Sequence, residues 1–320
     1  MYPEGTRSEE DERMPITPVD KVWMDGELVD WDDARIHVLT HALHYGTGVF
    51  EGIRAYATKR GPGVFRLTDH IRRLNHSASV YLMEVPYTPE ELIEACKEVV
   101  RANDLDACYV RPVVYRGYGE MGLNPLNAPV STFIVSWRWG TYLGDEALQN
   151  GARVVISSWR RIDSNALPSG AKGTGQYVNS SLAKIEALKA GYDDAIMLSP
   201  EGNVAEGTGE NLFIVREGVV YTPPRSAGIL VGITRDSVVT IAKDLGYEVR
   251  ERKILRSDVY TADEAFFTGT AAEVTPLREV DDRKIGSGTR GPLTKEIQET
   301  FFGAAKGEIE KYRSWVEPAR

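Results

Sequence analysis

Three stretches of this 320-residue chain hold residue types that chemistry needs and packing alone does not require. Gly170-Ala171-Lys172-Gly173-Thr174-Gly175 sets a lysine among residues too small to crowd a bulky planar ligand, after Pro168 and before a helix that opens near Tyr177. A lysine chosen blindly is a solvated surface amine; this neighbourhood favours a ligand-holding one. The order is not that of a phosphate loop, which needs Gly-Lys-Ser/Thr. Glu206-Gly207-Thr208-Gly209-Glu210-Asn211-Leu212-Phe213 puts a carboxylate on a Gly-rich turn leading into a strand, a way to aim it at a ligand. Gly232-Ile233-Thr234-Arg235-Asp236 opens a helix with backbone N–H groups and a hydroxyl, which suits a phosphate. Each alone is a weak signal.

Two other patterns carry less. Gly117-Tyr118-Gly119-Glu120-Met121-Gly122 has the spacing of a dinucleotide fingerprint, but Pro125 and Pro129 forbid the helix that would face a pyrophosphate, so a turn between two strands is expected. His37, His41 and His44 would share a helix face, yet no Cys or carboxylate completes a ligand set, so no metal is expected and a structural role is favoured.

The elements that position these stretches are legible in part. Residues 1–18 are polar and charged, an expected loose extension. Asp25-Gly26 within Val22 to Val29 predicts a tight hairpin. Val64 to Leu67 predicts a strand, followed by a helix capped by Thr68 with Ile71, Leu74, Ala78 and Tyr81 at helical spacing. Thr88-Pro89-Glu90-Glu91 combines an N-cap, Pro at the first helical position and a capping-box Glu, and Leu92, Cys96, Val99 and Val100 then share a face. Tyr109 to Tyr115, Thr132 to Trp137, Val154 to Ser157, Ala195 to Leu198, Leu212 to Val215 and Val219 to Tyr221 read as strands. Val178 to Lys189 and Ile233 to Leu245 read as helices that stop at Gly191 and Gly246. The expected organisation is a smaller mixed α/β domain over 19–139, a linker over 140–150 and a larger mixed α/β domain over 151–320 that holds Lys172.

Bulk composition narrows the function classes. A net charge of −9 argues against nucleic acid and anionic membranes as partners. No apolar run approaches the ~18 residues of a membrane helix, and the acidic start is unlike a signal peptide, so a cytoplasmic protein is expected. Cys96 and Cys108 are too few for a disulfide framework and read as free buried thiols.

Taken together and in order, the three stretches resemble the pyridoxal-phosphate enzymes of fold type IV, specifically the branched-chain amino acid aminotransferases. The resemblance runs from about Val22 to Gly307. It is carried also by His41-Ala42-Leu43-His44-Tyr45-Gly46, Val49-Phe50-Glu51-Gly52-Ile53-Arg54, Tyr109-Val110-Arg111-Pro112, Trp139-Gly140-Thr141-Tyr142-Leu143-Gly144 and Gly269-Thr270-Ala271-Ala272-Glu273. It implies the two-domain mixed α/β fold of D-amino acid aminotransferases, pyridoxal 5'-phosphate held by Lys172 as a Schiff base, Glu206 on the pyridine nitrogen and Tyr177 on the phenolic oxygen. Arg66 resembles the phosphate-binding arginine, with Ile233, Thr234 and Thr270 completing the phosphate cup. Phe50, Gly52, Tyr109, Arg111, Trp139, Tyr142 and the Thr270-Ala271-Ala272 turn resemble the substrate pocket, with Tyr45 and Leu123 reaching in from a second subunit. The implied minimum active unit is a homodimer, a hexamer remaining open.

The implied reaction moves an amino group between leucine, isoleucine or valine and 2-oxoglutarate, giving branched-chain 2-oxo acids and L-glutamate. A D-amino acid or (R)-amine aminotransferase, a lyase using the same lysine and a non-catalytic scaffold are the rivals. The Tyr109-x-Arg111 pair argues against the first two, and a scaffold has no use for a Schiff-base lysine.

Overall fold

Asp25 and Gly26 both take positive φ, 44° and 102°, the backbone that a two-residue hairpin matched to strand twist demands, and they join β1 (Lys21–Met24) to β2 (Glu27–Asp30). The computed structural model describes residues 16–140 and 142–320; the greater part of the expected extension, 1–15, lies outside the described residues. After β2 come α1 (His41–Tyr45), β3 (Gly48–Phe50), β4 (Ile53–Thr58), β5 (Gly61–Phe65), α2 (Leu67–Val80), α3 (Pro89–Ala102), β6 (Cys108–Arg116) and β7 (Val130–Trp137). Then follow α4 (Gly144–Asn150), β8 (Ala152–Ile156), α5 (Tyr177–Lys189), β9 (Asp194–Leu198), β10 (Val204–Gly207), β11 (Asn211–Arg216), β12 (Val219–Thr222) and α6 (Ile233–Asp244). The chain closes with β13 (Val249–Glu251), α7 (Arg256–Tyr260), β14 (Glu264–Gly269), β15 (Glu273–Val280), β16 (Arg283–Lys284), α8 (Pro292–Ala305) and β17 (Val316–Pro318).

These elements form two compact units. One comprises 16–139, 170–177 and 302–320; the other comprises 140–169 and 178–301. The segment with Lys172 therefore belongs with the N-terminal residues rather than with 151–320, and local bonds explain why. Lys172 N donates to Ser77 Oγ at 3.0 Å, and Phe50 N donates to Lys172 O at 3.1 Å.

In the Lys172 unit the sheet runs β17-β5-β4-β6-β7-β1-β2, with β3 paired to β6, all neighbours antiparallel. Helices α2 and α3 supply Ile71, Leu74, Ala78, Leu92, Cys96, Val99 and Val100 to one core with Ile53, Val64, Val110 and Ile134 of the sheet. Each fully buried Leu, Ile or Val contributes about 1.5–3 kcal/mol, so this face fixes the helices on the sheet. The α3 capping box forms as expected: Glu91 N donates to Thr88 Oγ1 and Thr88 N to Glu91 Oε2. The cap expected for α2 does not form. Thr68 sits inside the first turn, the cap position is Arg66 in a left-handed conformation, and Thr68 N donates instead to Glu317 Oε1 at 2.8 Å.

In the other unit the sheet runs β10-β9-β8-β15-β14-β11-β12-β13, with β16 on β15. Parallel pairs β8–β9, β8–β15 and β12–β13 sit among antiparallel ones. The expected linker holds α4, which the sequence hides because only Ala147 in it is buried. Helices α5 and α6 are followed by Gly191 and Gly246 at φ 81° and 90°, as expected. Cys96 and Cys108 are free and buried, and no described helix is long and apolar enough to cross a membrane.

Candidate active site

The small residues around Lys172 are there for backbone approach. Val49 and Gly173 form a β-bridge, and a Cβ on Gly173 would stand 2.5 Å from Tyr81 Oη. Gly175 N reaches Gly46 O, and a Cβ on Gly46, itself at φ 67°, would lie 2.8 Å from Gly175 Cα. Thr174 Oγ1 donates to Gly46 O at 2.9 Å. The segment is thereby stitched along β3 and α2.

That stitching delivers an amine into an aromatic cluster. Lys172 Nζ donates to Tyr177 Oη. It lies 4.9 Å from the ring centres of both Phe50 and Tyr177, which meet edge to face at 4.8 Å. Residues two apart on a strand share a face, so β6 presents Tyr109 and Arg111 together. The Arg111 guanidinium carbon stands 4.7 Å from the Phe50 ring, 5.2 Å from Tyr109 and 5.7 Å from Trp137, and Nη2 donates to Tyr109 Oη at 3.3 Å. Trp139 packs edge-on against Tyr109 at 4.6 Å. Arg111 Nε is buried and has no hydrogen-bond partner. An unsatisfied buried donor costs about 1–3 kcal/mol, which an arriving carboxylate would recover. Gly52 is needed because a Cβ there would come within 1.8 Å of Tyr109 Oη.

Arg66 has other company than Lys172. It pairs with Asp69 and lies over the Trp315 ring at 5.2 Å. Arg73, two turns further along α2, lies one turn before Ser77, whose Oγ accepts from Lys172 N. Glu51 grips it bidentately, accepting from Nε at 2.7 Å and Nη2 at 2.8 Å, and its Oε2 also lies 2.7 Å from His70 Nδ1. Burial alone would raise the Glu51 carboxyl; the charge and hydrogen bonds of Arg73, joined by His70, hold it well below the usual carboxylate range. Burial lowers His70, and the pull of Glu51 does not restore it, so the imidazole is neutral at pH 7. Sequence reasoning missed this trio. Its signal was available: His70 and Ser77 fall on the buried stripe of α2, and Glu51 interrupts an apolar run.

The second unit carries Glu206 at a register shift in β10. Its carboxylate is buried; Oε2 accepts from Asn211 Nδ2 at 3.2 Å and Leu230 N at 3.1 Å. Arg161 Nε lies 3.0 Å from Oε1, yet its N–H is misaligned for a hydrogen bond, so this contact is a charge pair and not a directional bond. Asn211 Oδ1 accepts from Gly232 N at 3.1 Å, tying the Glu206 strand to the start of α6, where Ile233 and Thr234 are buried. Packing of α6 on β14 carries the chain to Thr270, Ala271 and Ala272, the turn before Glu273 at φ 56°. Tyr142 lies 5.0 Å from Lys184 Nζ. Glu210, two residues beyond Thr208, is pushed up to about 8 by burial and by the Asp194 charge.

Tyr45 and Leu123 are exposed on the Lys172 unit, Leu123 at 88%. His41 ties their segments: its ring is 4.7 Å from the Tyr45 ring and its Nε2 is 2.7 Å from Gly122 O. With His44 Nε2 on Val38 O and His37 Nδ1 accepting from Leu39 N, all three histidines serve structure, and no described residues form a metal-ion cluster. Gly117 to Gly122 lie in the loop between β6 and β7, as expected.

The Lys172 unit thus holds an amine on a phenol and an arginine ringed by aromatics, and the other unit holds a buried carboxylate tied to a helix start. Residues 48–280 match the family model described as amino-transferase class IV, and the chain belongs to that family. It is similar to the branched-chain-amino-acid aminotransferase of Pseudomonas aeruginosa, 51% identical over 92% of this chain and 95% of that one. Among solved structures, the T.th. branched-chain amino acid aminotransferase with pyridoxamine 5'-phosphate shares 50% identity at a TM-score of 0.92, covering 96% of this chain and all of that one (100%). The same enzyme with N-(5'-phosphopyridoxyl)-L-glutamate gives 50% and 0.91, over 94% of this chain and 99% of that one.

Proposed function

We propose that the protein transfers the α-amino group of leucine, isoleucine or valine to 2-oxoglutarate, using pyridoxal 5'-phosphate held by Lys172. Buried Arg111 Nε without a partner, beside the Lys172–Tyr177 pair, is the observation that carries this reading. It calls for a substrate carboxylate within the same aromatic cluster.

The residues present fit the cofactor: an amine, a phenol and a partly buried guanidinium are gathered in one unit, a buried carboxylate and an open helix start in the other. Bound, pyridoxal phosphate supplies an aldehyde that takes up the amino group and a ring that withdraws electrons from Cα. With the cofactor bound, Lys172 Nζ would serve as the base that takes the proton from substrate Cα and delivers it on the far side of the transferred nitrogen. Tyr177 Oη orients that amine. Glu206, beside Arg161 and accepting from two donors, holds the ring-nitrogen proton. Ile233 and Thr234 offer helix-start amides to the phosphate, and Thr270 a hydroxyl. Arg73, rather than Arg66, is the cation we assign to the phosphate, because it lies on α2 one turn before Ser77, which accepts from Lys172 N, and is gripped by Glu51 next to Phe50.

Phe50, Trp139 and Tyr142 give aliphatic side chains apolar walls, and Arg111 gives glutamate's second carboxylate a clamp. The α-carboxylate falls to Tyr109, beside Gly52, and to the amides of Ala271 and Ala272. A second copy of the chain supplies Tyr45 and Leu123; the exposed apolar surface of Val38, Leu43, Tyr118, Leu123 and Leu126 supports such an association. Free buried Cys96 and Cys108 accord with a reducing, cytoplasmic setting.

The test uses the full chain loaded with pyridoxal phosphate. L-leucine or L-valine should shift the cofactor's absorption, and borohydride should fix the cofactor on Lys172. Lys172→Ala should lose both. Borohydride trapping on a different lysine overturns the assignment.

A further inference from the structure

Glu51 is the most heavily invested residue that the mechanism above leaves unused. It is fully buried between Phe50 and Gly52, two residues that face the Lys172 cluster, and its main chain is pinned by Glu51 N donating to Pro112 O at 2.9 Å. A buried ion pair is seldom a stability device, since apolar residues of equal volume do as well or better. A buried pair is informative when its geometry is specific, and here it is. Glu51 takes the Nε and Nη2 edge of Arg73 in a two-point fork, which fixes the guanidinium plane. A single-point contact would leave that plane free to turn.

His70 completes the arrangement from one turn earlier on α2. Neutral, it donates from Nδ1 to the Glu51 oxygen that also serves Arg73 Nη2, steadying the carboxylate. It does so without adding positive charge next to Lys172, with which it interacts electrostatically.

We propose that Glu51 is a positioning residue: with His70 it fixes the Arg73 guanidinium in the plane and place from which it receives the cofactor's phosphate. This rests on the assignment of Arg73 to the phosphate. The carboxylate cancels much of Arg73's net charge, so phosphate selection here depends on direction more than on total charge. Phe50, on the same short stretch, touches the amine side of the site, so one run of backbone places both the ring wall and the phosphate cation.

The experiment measures binding of pyridoxal phosphate and of pyridoxal, which lacks the phosphate, to full-length apoprotein. The ratio of the two dissociation constants isolates the phosphate contribution. Arg73→Ala should collapse that ratio by ~30-fold or more. Glu51→Asp, which keeps the charge but withdraws the fork by one methylene, and Glu51→Gln should each lower the ratio by ~10-fold while pyridoxal binding stays near normal. Should Glu51→Gln fail to fold, Glu51→Asp decides alone. An unchanged ratio in the Glu51 variants, or equal weakening of both ligands, overturns the positioning role while leaving Arg73's assignment standing. An unchanged ratio in Arg73→Ala overturns the phosphate assignment, and the positioning role with it.

Discussion

Arg111 is where residue-level chemistry is most exposed to test. Three aromatic rings surround its guanidinium and desolvate it, so a carboxylate meeting it does so with little competition from water. Removing one partner of such a pair costs ~2–5 kcal/mol, roughly 30-fold to a few thousand-fold in a specificity constant. Arg111→Leu should impair the glutamate and 2-oxoglutarate half-reaction by about that factor and the leucine half-reaction by much less, as separate stopped-flow measurements would reveal. Equal losses would mean that Arg111 holds the shared α-carboxylate instead. At this scale the sequence displays residues in an unusual local setting, such as the small residues around Lys172, whose close backbone approaches the structure shows. Two arginines on one helix look alike as letters, and only the α2 geometry shows that Arg66 faces Asp69 and Trp315 and Arg73 faces Glu51.

Elements place these groups through close approaches that tolerate no added atom. Gly52 lies so near β6 that a methyl group would push Tyr109 Oη aside. Overpacking of this kind costs ~1–3 kcal/mol. Gly52→Ala should therefore lower stability by about that amount and, by displacing Tyr109 Oη, raise KM for leucine and glutamate alike, as denaturation and steady-state kinetics would measure. An unchanged KM would remove Tyr109 from the α-carboxylate. Elements with local chemistry were legible, as the Thr88–Glu91 box and the Asp25-Gly26 turn show. Those decided by distant partners were not: α2 starts at Leu67, ahead of Thr68, where Glu317, far along the chain, accepts the Thr68 amide. Strands β10, β14 and β15 read poorly because nearly every residue in them is buried, so no alternation marks them.

For the whole molecule, the exposed apolar surface around Leu123 predicts a self-associating protein. A buried leucine contributes about 1.5–3 kcal/mol, and a two-fold interface counts it twice. Leu123→Asp should therefore weaken that self-association by at least roughly 100-fold, seen by sedimentation as monomer at micromolar protein. A variant that stays dimeric there would place the interface elsewhere. The division into units also bears on how the chain comes into being. Val316 pairs with Phe65, Arg101 Nη1 donates to Ala319 O, and Glu317 holds the Thr68 amide, so the last strand made closes the edge of a sheet whose other strands are synthesised early. On the ribosome, at ~5–20 residues per second, β5 waits as an open edge, able to template wrong pairings, until residues 316–318 emerge. Nascent chains truncated short of Val316 would be released with that edge still bare, a burden for the cell's chaperones even though every residue assigned to the chemistry has already been translated.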